Sequence, residues 1–357
     1  MNNTEISDDD FLFKWIIKAM KQLMIRISSS CKSVEKLEII FLHTHRADKN
    51  EEYAEEIKMF LEAIGNSESL RDSMKYLTFE ANATEVMVGL ISSFYNLEVL
   101  KIIDCSYLEG EYFPLIKTQK LKWLNLSGSH QINYDCIYRL VKNNSSTLRE
   151  LKIDGENMES DQFSTLIDTM EVIEDLFIYF ASSAKSDLLM LLSNHRNTIQ
   201  KLVIRKNEYF ESKELCEFFG EKFPKLTHLK LDDWSGLDSK VVKLIATNCL
   251  SLKLFSSEWC NSIQSESVEA LILNWEDLEE LNLTGIKPLD DTIFSKVFKI
   301  NKQNIENGIP ILPLKLKELS LKQWNYLSKP VLEQMKAYYP EMNIIDYYGE
   351  DIDDFED

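Results

Sequence analysis

Two histidines and one aspartate near the start of the chain have the clearest metal-ligand chemistry. His43, His45 and Asp48 lie within Leu42–Asn50, and imidazole and carboxylate groups are common zinc ligands. Residues two apart on a strand share a face, so both imidazoles could point the same way. No further histidine or cysteine lies nearby in the sequence to complete a tetrahedral site. We therefore expect no metal at this segment.

Other catalytic chemistry has no recognisable pattern in this sequence. The 6 cysteines are scattered without a C-x-x-C pair, and no basic residue is placed to activate Cys31 or Cys249. The sequence has no Gly-rich phosphate loop, no H-E-x-x-H and no G-x-S-x-G. Carboxylates are abundant, but runs such as Glu276–Glu280 are typical of a solvated edge. We predict a non-enzymatic protein without a catalytic residue, metal or cofactor.

Charge and composition narrow the class of partner. The formal net charge is −19, which disfavours nucleic acid and anionic membrane as partners. The acidic Asp8-Asp9-Asp10 stands before the first apolar run, unlike a signal peptide. No uninterrupted apolar stretch is long enough to span a membrane. We expect an intracellular protein, cytoplasmic or nuclear, with reduced thiols.

A pattern of apolar residues, L-x-x-L-x-L, recurs along nearly the whole chain. One copy has Leu226, Leu229 and Leu231 at its first, fourth and sixth positions. Copies beginning at positions 74, 97, 121, 148, 173, 199, 226, 252 and 278 are 23 to 27 residues apart. Further copies begin at Val34, Leu316 and Met342. A period of roughly 20–29 residues with this pattern indicates a leucine-rich repeat.

The repeat predicts one strand and one helix per copy. Leu229 and Leu231 are two apart and share one face of a short strand, while Val241, Val242 and Ile245 fit one face of a helix. Asp238 and Ser212 stand where N-caps are expected. An ordinary α/β protein would not hold so regular a spacing. The predicted fold is an α/β leucine-rich-repeat solenoid (horseshoe) of about 10–12 repeats, with parallel strands on the concave face and helices on the convex face.

The predicted domain organisation is one solenoid with two flanking segments. Residues 1–33 are expected to form an N-terminal helical cap, with a basic membrane-surface helix as the alternative for the same amphipathic stretch. Residues 34–348 form the solenoid, with insertions near 42–66 and 299–313. A Gly and two Pro in 301–313 predict a loop there. The acidic tail, 349–357, is expected to be disordered.

The third, fifth and seventh positions of each repeat should face the concave surface. Most are polar, but two neighbouring repeats bring apolar and aromatic residues together there, ringed by charge. Such a spot is typical of a protein-binding site. Alternatively, a loop or tail of the same chain covers it, or the aromatics stiffen the sheet. The candidate partner-binding residues are Trp123, Phe177, Tyr179, Lys201, Val203, Arg205, Lys230, Asp232 and Asp233.

Cysteine positions add a family resemblance. Cys249 stands three residues before Leu252, and a cysteine follows the strand at Cys105 and Cys260, although Trp234 and other residues replace it elsewhere. Together with the period near 26, this resembles the cysteine-containing leucine-rich repeats of F-box/LRR proteins, over roughly residues 25–348. No Leu-Pro pair of the kind that opens an F-box precedes Val34.

The resemblance implies substrate recognition in a Skp–cullin–F-box ubiquitin ligase, with the substrate on the repeat arc and a Skp adaptor and cullin as further partners. The alternative is a stand-alone scaffold or inhibitor that holds one protein on the concave face, similar to ribonuclease-inhibitor-type or GTPase-regulating leucine-rich-repeat proteins. Both readings make this chain a protein–protein interaction module.

Overall fold

Strands and helices alternate along the chain, as the repeat predicts. The computed structural model describes residues 32–40, 58–59, 61–80, 83–308, 311, 315–323 and 328–345. Their strands are β1 (Lys36–Ile40), β2 (Tyr76–Glu80), β3 (Val99–Ile103), β4 (Trp123–Asn125), β5 (Glu150–Asp154), β6 (Asp175–Tyr179), β7 (Lys201–Ile204), β8 (His228–Lys230), β9 (Leu254–Ser256), β10 (Glu280–Asn282), β11 (Glu318–Ser320) and β12 (Asn343–Ile345).

Helices follow the strands, and ten of them have both ends among the described residues. They are α1 (Glu68–Ser73), α2 (Glu85–Ile91), α3 (Tyr134–Asn143), α4 (Ser160–Thr169), α5 (Ser186–Ser193), α6 (Ser212–Phe219), α7 (Ser239–Asn248), α8 (Ser265–Asn274), α9 (Thr292–Glu306) and α10 (Lys329–Tyr338). A short 3₁₀ helix, Phe113–Leu115, stands in place of an α-helix between β3 and β4.

Two compact units make up the chain, each a stretch of leucine-rich-repeat solenoid. The first extends to Ile153 and includes Thr169–Glu171, and the second comprises Asp154–Asp168 and the chain from Val172 onward. In the first unit β1 to β5 pair in parallel and in sequence order. In the second unit β6 to β12 do the same. The α/β leucine-rich-repeat solenoid predicted from the sequence is therefore confirmed.

The first, fourth and sixth positions of the repeat build the core. Leu226, Leu229 and Leu231 have no exposed surface, and burying one such side chain contributes about 2 kcal/mol. The helices cover this core from one side: Val241 and Ile245 of α7 are likewise buried. The other side of the strands carries the third, fifth and seventh positions, and we call it the open sheet face.

A turn after each strand ties neighbouring repeats together. The amide group of Asn207 donates from Nδ2 to the carbonyl oxygens of Ala181 and Ala184 at 2.7 and 3.0 Å. Two repeats later, Cys260 Sγ accepts from the Trp234 backbone N–H at 3.4 Å. These side chains occupy the position after the strand where the cysteine-containing repeats place their cysteine. Each satisfies buried backbone groups of the preceding repeat that no strand or helix pairs.

The helix starts agree only in part with the caps expected from sequence. Asp238 caps α7 as predicted, because its carboxylate accepts from the backbone N–H groups of Lys240 and Val241. Ser212 was the wrong residue: it lies in the first turn of α6, and Glu211 is the N-cap. Glu211 and Glu214 form a reciprocal capping box there, in which the longer glutamate side chain replaces the usual serine.

Residues 299–306 of the insertion near 299–313 are helical, so the predicted loop over 301–313 was wrong for its first half. Helix α9 continues to Glu306, and Asn301 is fully buried within it, with its side chain donating to Tyr339 Oη at 2.8 Å. The helix ends at Asn307, and Gly308 follows with φ +67°. Glycine adopts this left-handed conformation without a Cβ penalty, which explains why the helix ends there.

Several predictions concern residues outside those described. They are the cap helix at 1–33, the segment with His43, His45 and Asp48, and the tail at 349–357. Of the insertion near 42–66, residues 58–59 and 61–66 are helical, and Leu61 and Ile64 are buried.

Candidate partner-binding site

The register of β6, β7 and β8 brings most of the candidate residues together on the open sheet face. Phe177 lies beside Val203, and Val203 lies beside Lys230. Neighbouring parallel strands are about 4.8 Å apart, so these three side chains form one continuous row across the sheet. Asp175, Lys201 and His228 form a parallel row two residues earlier.

The aromatic part of the site is Phe177 and Tyr179. Both are partly exposed. Leu176, just before Phe177, and Ile178, between the two aromatic residues, are buried in the core. This alternation follows from the two-residue period of a strand. The structure thus presents two aromatic side chains of one strand on the same face.

Val203 departs from the prediction that it would be exposed. It is only 3% exposed, because a short side chain lies between Phe177 on one strand and Lys230 on the next. Longer neighbours about 4.8 Å away cover it on both sides. Val203 therefore supports the aromatic residues from beneath instead of offering a surface to a partner.

Asp232 is also buried, at 2% exposure, although the sequence placed it on the solvated face. Its carboxylate accepts from Ser256 Oγ at 2.6 Å and from the Glu258 backbone N–H at 3.1 Å. Arg205 Nε lies 3.1 Å from Asp232, and its Nη2 lies 3.8 Å from Glu258. A buried carboxylate needs such partners to offset its desolvation. Asp232 thereby holds the Arg205 guanidinium at the border of the aromatic residues.

Lys201 borders the site on the other side. Its Nζ lies 2.6 Å from Asp175 Oδ2, and the Asp175 side chain is almost fully buried. Beside it, burial lowers the pKa of His228, and the Lys201 ammonium adds to the effect. His228 is therefore neutral at pH 7, and the positive charge in this row comes from Lys201.

A second line of side chains lies just past the strand ends, where sequence reasoning predicted only Asp233. Phe180, Lys206, Asp233 and Trp259 all have positive φ, between 56° and 62°, which costs roughly 1 kcal/mol for a residue other than glycine. Phe180 is 44% exposed and Trp259 is 38% exposed, and Lys206 Nζ lies 5.5 Å from the Phe180 ring centroid. The conformation turns these side chains outward.

Sequence reasoning missed Phe180 and Trp259 because strand alternation ends at the seventh position. A signal was available: Gly128 and Gly285 occupy the equivalent place in their own repeats and also have positive φ. A glycine at one place in a repeat indicates a backbone conformation that the other copies share.

Trp123 belongs to the first unit and not to the cluster on β6 to β8. It is partly exposed at the start of β4, next to Val99 of β3. Lys101 Nζ lies 3.8 Å from its ring centroid, close enough for a cation–π interaction. The open face of the first unit therefore has its own aromatic residue, held by a lysine.

The cysteines and acidic residues offer little chemistry. Within the described ranges, no group of three His, Cys, Asp or Glu residues could hold a metal ion. Burial raises the pKa of Cys249 above its ordinary range and that of Cys260 to about 12. Both groups are therefore protonated thiols at neutral pH. Among the described helices, none is both long and apolar enough to cross a membrane.

Comparison with known proteins supports the fold. No protein-family model and no curated protein matches the sequence. Among solved structures, the chain is similar to Rad7 in the yeast Rad7–Elc1 complex, with 13% identity, 97% of this chain and 96% of that chain covered, and a TM-score of 0.56. An internalin, InlF, from Listeria monocytogenes has 11% identity, coverage of 92% and 93%, and a TM-score of 0.48.

The fold and the open sheet face together define a class. The chain has the leucine-rich-repeat fold, which it shares with Rad7. In the described repeats the strands leave one face open and bury the other beneath helices.

Proposed function

We propose that this chain recognises one protein on the open sheet face of its second unit, as the non-enzymatic substrate-recognition part of a ubiquitin ligase. The observation that carries the proposal is the pair Phe177 and Tyr179, partly exposed on β6 and bordered by the held cations Lys201 and Arg205. Aromatic residues and arginine are the side chains most often responsible for binding energy at protein interfaces.

The geometry supports a ready-made site. Arg205 is held by Asp232 and Glu258, and Lys201 is held by Asp175, so a partner does not have to order these side chains on binding. Immobilising a free side chain costs about 0.5–1.5 kcal/mol. A surface whose charges are already positioned avoids most of that cost and selects a partner of complementary charge.

Two similarities to other proteins support the proposed role in a ubiquitin ligase. Rad7, which shares the fold, forms a complex with Elc1, and the cysteine-containing repeats resemble those of F-box/LRR proteins. In the proposed organisation, residues 34–348 form the solenoid that carries the partner surface, residues 1–33 cap it and 349–357 form an acidic tail. We place the protein in the cytoplasm or nucleus, where cysteines remain thiols.

The proposed surface is tested by Phe177→Ala with Tyr179→Ala. We expect the double variant to fold normally and to bind its partner about 100-fold more weakly, because two hot-spot residues at about 1–2 kcal/mol each are removed. The matched control is Tyr95→Ala with Tyr107→Ala, two exposed tyrosines of the first unit, which should bind as wild type does. Loss of folding in the first variant would show that Phe177 and Tyr179 are core residues.

Affinity purification of both variants and the wild type, followed by mass spectrometry, identifies the partner and its context. Co-purification of a Skp adaptor and a cullin supports the ligase assignment. A single stoichiometric protein without ligase components, lost in Phe177→Ala/Tyr179→Ala, instead indicates a stand-alone scaffold or inhibitor. An equal yield of that protein from all three forms would refute the proposed surface.

A further inference from the structure

A groove lies between α5 and α6 on the helix side of the second unit. Its volume is about 500 Å³. Leu189 of α5 and Phe218 of α6 are buried at its base, whereas Met190 is 67% exposed at its wall. A methionine exposed to this extent beside a groove is unusual, because the flexible thioether side chain is normally buried.

The rim of the groove is acidic and has little to neutralise it. Four carboxylates line it, with Lys213 as the single cation among the lining residues: Asp187, Glu211, Glu214 and Glu217. Glu211 and Glu214 already accept backbone N–H groups in the capping box of α6, which leaves Asp187 and Glu217 for a partner. Neither Asp187 nor Glu217 has a lysine or arginine at ion-pair distance in the part of the chain that the structure describes. Between α8 and α9, in contrast, Glu269 lies 3.7 Å from Lys296.

Shape and charge together specify what the groove fits. Two helices side by side form a trough for a third helix, which is a common mode of peptide recognition. Helix α5 has 8 residues and is therefore about 12 Å long, enough for about two turns of a bound helix. An apolar side chain of that helix would contact Met190, and its cations would meet the carboxylates of Asp187 and Glu217, which have no ion-pair partner among the described residues.

We propose that this groove binds a basic amphipathic helix of a partner protein. The site lies on the helix side of the sheet and uses none of the residues of the open-face site, so it is independent of the function proposed above. It would give the protein a second attachment point, with complementary charge as the basis of recognition.

A designed peptide tests the proposal on the full-length chain. The probe is a labelled helix of about five turns with leucine along one face and lysine along the other. Two peptides serve as comparisons: one with glutamate in place of lysine, and one with the lysine composition but two prolines that break the helix. Fluorescence anisotropy at low salt should show binding of the lysine helix and at least tenfold weaker binding of both comparison peptides.

Matched variants locate the binding site. Asp187→Lys with Glu217→Lys should weaken binding of the lysine helix at least tenfold. Glu266→Lys with Glu276→Lys changes the net charge by the same amount at exposed carboxylates away from the groove, and should weaken it less than twofold. Met190→Ser should weaken binding severalfold, and Phe177→Ala/Tyr179→Ala should leave it unchanged.

Three results would overturn the proposal. Absence of binding to wild type means that the groove does not take a basic helix. Equal loss in the two charge-reversal variants means that the peptide responds only to the overall negative charge. Equal binding of the proline-containing peptide means that the groove does not recognise a helix.

Discussion

Truncation of Asn207 is the sharpest single test of how the turns hold the candidate site. Asn207 is fully buried after β7. Its Nδ2 donates to the carbonyl oxygens of Ala181 and Ala184, and its Oδ1 accepts from the backbone N–H groups of Tyr209 and Phe210 at 3.0 and 2.8 Å. One side chain therefore fixes the turns that follow two neighbouring strands, both of which carry site residues.

The expected cost of Asn207→Ala follows from these four bonds. A hydrogen bond contributes about 1 kcal/mol net, and a buried group left without a partner costs about 1–3 kcal/mol. Alanine removes the partner of the Ala184 carbonyl and of both N–H groups, while the Ala181 carbonyl keeps its bond from the Ala184 N–H at 3.1 Å. Water entering the vacated space restores part of the loss. We expect the free energy of unfolding of the second unit to fall by about 3–4 kcal/mol.

Urea denaturation followed by circular dichroism, with amide exchange at 181–184 and 207–210, measures this effect. Repeat proteins need not unfold in one step, so the exchange data assign the loss to these turns. Asn197→Ala is the control, since Asn197 is exposed and its removal should change stability by less than about 0.5 kcal/mol. A loss below about 1 kcal/mol for Asn207→Ala would refute the structural role assigned to the side chain.

Three further predictions concern backbone conformation, thiol reactivity and pH. Gly285→Ala should destabilise the protein by about 2–3 kcal/mol, because φ is +73° and a Cβ would come within 2.5 Å of the Trp259 ring. Gly308 has φ +67°, but nothing lies within 4 Å of the new Cβ, so Gly308→Ala should cost only about 1 kcal/mol. The melting temperatures of the two variants, each measured against wild type, test this difference. Burial raises the pKa of Cys260 to about 12, so about 1 in 10⁴ of these thiols is ionised at pH 8. Cys260 should therefore react with a disulfide reagent at pH 8 only after unfolding. Rapid labelling of the native protein would contradict this. Burial lowers the pKa of His228 in the folded protein. As pH falls below about 6.5, the unfolded chain therefore takes up the proton first, and the free energy of unfolding decreases. His228→Gln should lose less stability than wild type between pH 7 and 5.

Most of the core could be predicted from the sequence. The spacing of residues such as Leu226, Leu229 and Leu231 identifies the buried face of each strand, since the two-residue alternation is a local property of the backbone. Helix α9 shows where this reasoning stops. The glycine and prolines in 301–313 indicated a loop, but they lie after residue 306, and the helix continues up to Asn307 because nothing before it breaks the hydrogen-bond ladder.

The candidate site was predicted less completely than the core. Phe177 and Tyr179 are on the open face as expected, and Lys201 and Arg205 lie beside them. The exposure of Val203 was predicted wrongly because it depends on the size of the side chains on the neighbouring strands. The solvent exposure of a residue on a sheet face depends on the side chains of both neighbouring strands. It therefore cannot be predicted from the sequence pattern of its own strand.

The sequence by itself determined the repeat, its period and the alternation of core and surface residues, because each of these follows from how one short segment folds. Only the tertiary structure decided that Asp232 is buried against Ser256 and Arg205, that Phe180 and Trp259 project from strained turns, and that α5 and α6 leave a groove beside Met190. These features arise between repeats, where residues about 26 positions apart meet at strand or helix distance. The physical reason is that stacking sets which side chains cover one another, and stacking involves two copies of the motif at once.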